Sequence, residues 1–216
     1  MSIIRHRAKE QLPMVLLTLL SIVQALALEL LWGHVVSEPT LYVPSWEAAL
    51  GWVQAFTTFV GILLIWVIYA STAMRFRWVP ATADSLYPFL VGVAQFALVE
   101  LLGPDTLGGW FLVMAVIYAA MTWISQRTLK AARMDEDNHE FFRHVRPATL
   151  RDFRGAALIV LMMVVVGILL LATGHAGWLA MAATLMVTTG LLYQLYLSDR
   201  YWRRSLLAPS PDPTSP

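Results

Sequence analysis

Six long apolar runs divide this sequence, and every one of its fifteen lysines and arginines lies on alternate connections outside them. The runs occupy 12–33, 46–74, 85–103, 107–124, 155–173 and 178–197. Each is close to the roughly 20 apolar residues that a helix needs to cross a bilayer. Arg5, Arg7 and Lys9 precede the first run, and Arg75 and Arg77 follow the second. Arg127, Lys130, Arg133, Arg143, Arg146, Arg151 and Arg154 lie between the fourth and fifth, and Arg200, Arg203 and Arg204 follow the sixth. Cytoplasmic loops retain basic residues. The expectation is therefore an all-α integral membrane protein of six transmembrane helices with both termini in the cytoplasm.

Composition agrees with that class. Of 216 residues 58% are hydrophobic and 13% charged, and the mean hydropathy is +0.64. A soluble domain carries more polar surface than this. The expected organisation is a short inner segment (1–11), a six-helix domain (12–204) with a cytoplasmic loop at 125–154, and a Pro/Ser-rich disordered tail (205–216). A net charge of +1 gives no reason to expect a nucleic-acid partner. Partners of the other kinds stay open: the lipid bilayer, anionic lipids at the basic inner face, and a homo-oligomer or another membrane protein. The absence of cysteine excludes disulfides, thiolate metal sites and thiol nucleophiles.

Turn residues mark the connections. Pro39 and Pro44 stand in the first, Pro80 in the second, Gly103-Pro104-Asp105 in the third and Gly174-His175-Ala176-Gly177 in the fifth. The third and fifth are so short that spans 3–4 and 5–6 should form tight antiparallel hairpins, making three hairpins in all. The first run competes with another reading. Basic residues, an apolar stretch and Ala25-Leu26-Ala27 also describe a cleavable secretory signal. Its apolar stretch exceeds a typical signal core, and it has a counterpart later in the chain.

That counterpart is span 3. Gln24, four apolar residues, Glu29 and two leucines recur as Gln95, four apolar residues, Glu100 and two leucines. Spans 2, 4 and 6 share Gly51-Trp52, Gly109-Trp110 and Gly177-Trp178 at their outer ends, with Tyr69, Tyr118 and Tyr193 farther along. Parallel repeats are one transporter arrangement. For the Gly-Trp pairs the plainer account is an interfacial aromatic belt.

Glu29 and Glu100 are the first candidates for chemistry. A carboxylate within an apolar span costs about 2–3 kcal/mol on insertion and marks function by default. Two such groups facing each other could relay protons or bind a cation, provided they face a hydrated central path. Otherwise each reaches the headgroups or bonds a neighbouring helix. Gln24, Gln54 and Gln95 lie nearer the membrane centre, where buried amides need partners. They are read either as interhelical glue or, with Thr57, Thr58, Thr184, Thr188 and Thr189, as a polar lining. Gln54, Thr58 and Gly61 share one helical face, as do Ala180, Thr184 and Thr188, and such stripes favour close packing.

His34 and His175 lie at outer ends near Glu38, Glu47 and Asp105, a rim able to concentrate cations. No ligand spacing there suggests a metal. In the inner loop Glu136, Glu140 and His144 would share a helical face. The segment is better read as an amphipathic stretch whose Phe141 and Phe142 touch lipid or the bundle. Thr149-Leu150-Arg151-Asp152 has the pattern of a helix start.

No histidine lies deep in a span to ligate haem, no phosphate-binding loop is present, and no intramembrane protease pair is visible. No cofactor is called for. In size and topology the chain is similar to the small six-helix bacterial subunits of the lysosomal-type potassium channel family. Their Phe-Ser-Asp triplet is missing, with Leu12-Pro13-Met14 in that region, so the resemblance implies architecture alone. Three functions follow in order of support. The first is a channel or carrier for protons or small cations; the second is a non-transporting scaffold, assembly factor or sensor docking through its basic loop. A membrane enzyme of the outer acidic face comes last.

Overall fold

The computed structural model describes residues 3–79, 81–143, 149, 153–174 and 177–207. Residues 1–2, Pro80, 144–148 (with His144, Arg146 and Pro147), 150–152 (with Leu150, Arg151 and Asp152), His175, Ala176 and 208–216 lie outside the described residues. The fold is all-helical: α1 (Ile3–Ser37), α2 (Trp46–Arg75), α3 (Tyr87–Glu100), α4 (Leu107–Arg133), α5 (His139–Arg143), α6 (Arg154–Thr173) and α7 (Trp178–Leu207). Five of these, all but α3 and α5, are long and apolar enough to cross a membrane. The chain is thus a multi-pass helical membrane protein.

The expected third span is the short one. Fourteen residues of α3 rise only about 21 Å, less than the roughly 30 Å of hydrocarbon. A 3₁₀ turn, Thr82–Leu86, precedes it and adds about 10 Å. At its far end the chain turns at Gly103, whose φ of +134° suits glycine. Other helices exceed their apolar runs. α1 begins before residue 12, α4 runs on through 133, and α7 continues through residues 205–207, where the tail was expected to begin. Charged residues at helix ends extend past the hydrocarbon without interrupting backbone hydrogen bonding. The helix start expected at Thr149-Leu150-Arg151-Asp152 falls on residues 150–152, outside the described residues; α6 itself begins at Arg154 without a side-chain cap.

Helix partners are set by surface shape. The most extensive packing joins α4 to α6 and α2 to α7, and α1 packs on both α2 and α3. By contrast α6 and α7, neighbours in sequence, touch only sparingly. α4 and α6 meet at Gly108 and Gly167. A Cβ on Gly108 would lie 2.8 Å from the Gly167 carbonyl, and one on Gly167 would lie 2.9 Å from the Gly108 carbonyl. Only glycine permits backbones this close. Between α2 and α7 the hydroxyls of Thr57 and Thr188 are 2.5 Å apart, on the buried stripe that includes Ala180 and Thr184. Trp110 and Phe111 are wholly buried, and Trp110 Nε1 donates to Thr58 Oγ1 at 3.0 Å. Outward, α6 exposes Leu158, Leu161, Val165, Ile168 and Leu171, a surface suited to lipid.

The two ends of the bundle differ. At the basic end the start of α1 meets the end of α4 through Lys9, whose Nζ is 2.5 Å from Asp135 and 2.6 Å from Asp137. Lys9 and Asp135 are 7% and 6% exposed, so this ion pair is buried. Asn138 ties the same segment to the end of α2, accepting from Arg77 N at 3.1 Å and donating to Ala132 O at 2.7 Å. Phe142 packs with Phe76, Trp78 and Ala132 in a small second core. The inner segment therefore rests its phenylalanines on the bundle, the second of the two alternatives expected. The glutamate stripe is broken, since Glu136 lies in a 3₁₀ turn ahead of the short α5.

Candidate functional site

The repeated Gln–Glu pattern meets itself. α1 and α3 run side by side, so close that a Cβ on Gly92 would lie 2.3 Å from Val23 Cγ1. In this register Gln95 Nε2 donates to Gln24 Oε1 at 3.2 Å, both side chains being buried. The remaining amide atoms, Gln24 Nε2 and Gln95 Oε1, are buried without a hydrogen-bond partner. Buried polar atoms of this kind are uncommon and call for an explanation.

Five residues farther along each helix, Glu29 and Glu100 line one open cleft of about 690 Å³ together with Leu30, Gly33, His34, Phe96 and Val99. Both carboxylates are exposed. They share an open cleft between α1 and α3. His34 also borders a second cleft of about 440 Å³, which holds Glu38, Glu47, Gln54 and Asp105. Glu38 accepts hydrogen bonds from the Thr40 hydroxyl at 2.8 Å and the Thr40 amide at 3.3 Å. These bonds hold its carboxyl below the usual carboxylate range. His175 lies outside the described residues. Among the described residues no three His, Asp or Glu side chains are grouped to hold a metal ion.

The third glutamine stands apart. Gln54 Nε2 donates to Leu101 O at 3.2 Å, and its Oε1 accepts from Gly103 N at 3.0 Å. It clamps the α3–α4 turn from α2, where the interhelical-glue reading describes it well. Thr57, Thr58, Thr184 and Thr188 are buried packing residues, whereas Thr189 is exposed and bonds Leu185 O. Of the Gly-Trp residues, Trp110 is fully buried and Trp178 is 76% exposed. A belt position fits Trp178 and fails for Trp110, because packed helices surround this part of α4.

A cavity of about 410 Å³ opens from the basic end among α2, α4 and α7, and Gln95 and Leu98 of α3 close its depth. α3 is consequently a partition: Gln95 and Leu98 border this cavity, while Phe96, Val99 and Glu100 border the acidic cleft. Gln194 donates to the Tyr118 hydroxyl at the cavity wall. Nothing in the sequence pattern singles out Gln194, and Arg75, also in the wall, stands there only as one of the basic residues. A polar residue on the inner half of a span was the available signal.

No family model, curated protein or solved structure matches the chain. The site's own geometry is what bears on function.

Proposed function

We propose that this protein is a carrier for protons or small cations, with Glu29, Glu100 and His34 forming its outer binding cleft. The observation that carries the reading is the convergence of both repeated glutamates on one cleft. Two carboxylates lining one partly apolar cleft offer oxygen acceptors to a small cation or to a proton in transit. A carrier suits the bundle better than an open channel. The clefts and the cavity at the basic end are separated by α3 and by the packed layer of Thr57, Thr58, Trp110 and Phe111. The separation is short. Glu29 and Glu100 stand about 7.5 Å along their helix axes from the Gln24–Gln95 pair, and Gln95 borders the cavity beyond. The unpaired amide atoms of that pair supply a donor and an acceptor midway.

Retention of basic residues inside would place both termini in the cytoplasm, with the acidic clefts outside. A bacterial inner membrane fits this charge bias and the lack of cysteine. The test is flux in proteoliposomes loaded with a pH-sensitive dye. Replacing Glu29→Gln and Glu100→Gln together should abolish acidification driven by an imposed gradient; undiminished flux would remove the cleft from the mechanism.

A second reading is favoured by one observation. The segment after α4 is folded against the bundle through Lys9, Asn138 and Phe142, which would hold a basic docking surface in a fixed shape. A scaffold or sensor of this kind predicts no flux, together with co-purification of another membrane protein that is lost when residues 130–154 are exchanged.

A further inference from the structure

We propose that the cavity at the basic end binds a single-chain anionic amphiphile of the fatty-acid class, its carboxylate on Arg75 and its chain in the apolar depth. The binding proposed here does not rest on a transport role, although Gln95 borders both this cavity and the proposed path.

At about 410 Å³ the cavity falls within the range of small-molecule sites, which are mostly apolar with a few oriented polar groups. Its depth is built by Gly61, Ile65, Leu98, Met114 and Leu191, and Arg75 stands in the wall at the basic end. Arg75 Nε donates to Ser71 O at 3.1 Å, and its guanidinium lies 5.5 Å from the Phe76 ring. Lys9, Arg77, Arg127 and Arg203 each approach an aspartate. Among the described residues Arg75 approaches no carboxylate. A half-buried guanidinium with its terminal N–H donors uncommitted is a strong receptor for a carboxylate.

The route in is lateral. A narrow slot of about 50 Å³ between α4, α6 and α7 shares Met114, Tyr118 and Leu191 with the cavity. Met162, Met163, Met186 and Gly190 line it between the sparsely packed α6 and α7, and Met186 is exposed on the bundle surface. A Cβ on Gly190 would meet nothing within 4 Å. Thioether side chains adapt readily to an entering chain. A slot of about 50 Å³ leaves room for no more than one acyl chain at a time, which favours a single-chain amphiphile over a two-chain phospholipid.

The experiment measures dansyl fluorescence on titrating the full chain, in maltoside micelles, with dansyl-aminoundecanoic acid or its uncharged methyl ester. Saturable binding of the acid, about tenfold tighter than the ester, is expected. Arg75→Gln should remove that preference while leaving ester affinity unchanged, Arg75→Lys should restore part of it, and Gly190→Trp should weaken both ligands. Equal affinity of acid and ester in the unaltered protein would overturn the proposal even if every variant failed to fold. So would an absence of saturable binding. Unlabelled oleate should displace the probe; displacement by two-chain phosphatidylglycerol alone would overturn the single-chain assignment.

Discussion

Gln95 on α3 donates its side-chain amide to Oε1 of Gln24 on α1 across 3.2 Å, inside a bundle where neither side chain reaches solvent. The contact sets the register of the two helices and so carries Glu29 and Glu100 to the same cleft. Each amide keeps one polar atom without a partner, so the pair is poised between a structural and a functional role.

Removing one member of this pair should cost more than removing both. Gln24→Leu strands the Gln95 amide and is expected to destabilise by about 1–2 kcal/mol. The Gln24→Leu, Gln95→Leu double variant should recover more than half of that loss. Thermal unfolding in detergent reads both values, and simply additive losses would show that the two amides do not interact.

The α4–α6 crossing predicts a contrast between glycines. Gly108→Ala brings a methyl to within 2.8 Å of the Gly167 carbonyl and should destabilise by about 1–3 kcal/mol through overpacking. Gly155→Ala, where nothing lies within 4 Å, should be neutral or stabilising by up to about 1 kcal/mol. Equal melting shifts for the two would argue against the close crossing.

Lys9 and Asp135 form the buried ion pair of the basic end. Lys9→Met leaves the Asp135 carboxylate buried without its cation, an arrangement that costs about 3–5 kcal/mol. Lys9→Met combined with Asp135→Asn should lie much nearer the unaltered protein, because asparagine still accepts from the Asp137 amide. A denaturation cycle of the four proteins checks this, and no recovery in the double variant would count against the pair.

Asp137 gives the pH dependence. Hydrogen bonding to Lys9 is the main cause that holds its carboxyl below the ordinary aspartate value of 3.8. A lowered carboxylate pKa contributes stability that is fully present above 3.8 and is lost as pH falls through the lowered value. The stability gap between the unaltered protein and Asp137→Asn should therefore be constant across neutral and mildly acidic pH. It should close only at pH below the ordinary aspartate range. Melting curves taken across that range test the sign; a gap that closes near neutrality would contradict it.

The legible parts of this protein are those written locally. Apolar runs at 12–33, 46–74, 107–124, 155–173 and 178–197 each lie within a long helix, because hydropathy over one span is a sum over neighbours. The Gln–Glu repeat was equally visible, though whether its two copies meet was not; in the structure Gln95 bonds Gln24. The shortness of α3 was harder to see. Leu101 and Leu102 continue its apolar run, yet the helix ends at Glu100, where Gln54 of α2 clamps the following turn.

The three Gly-Trp pairs show where the sequence stops. They are identical as dipeptides, yet Trp52 donates to Leu41 O at 2.9 Å, Trp110 is sealed in the core, and Trp178 is exposed. Likewise, short connections pointed to sequential hairpins, but the broadest contacts join α4 to α6 and α2 to α7. The sequence by itself determined the membrane class and the separation of basic from acidic ends, since both follow from transfer energies of individual residues. Tertiary structure alone decided which helix faces meet, and with them the acidic cleft, the partition and the cavity at Arg75. Those depend on shape matching between distant surfaces, such as Gly108 against Gly167, which no local pattern encodes.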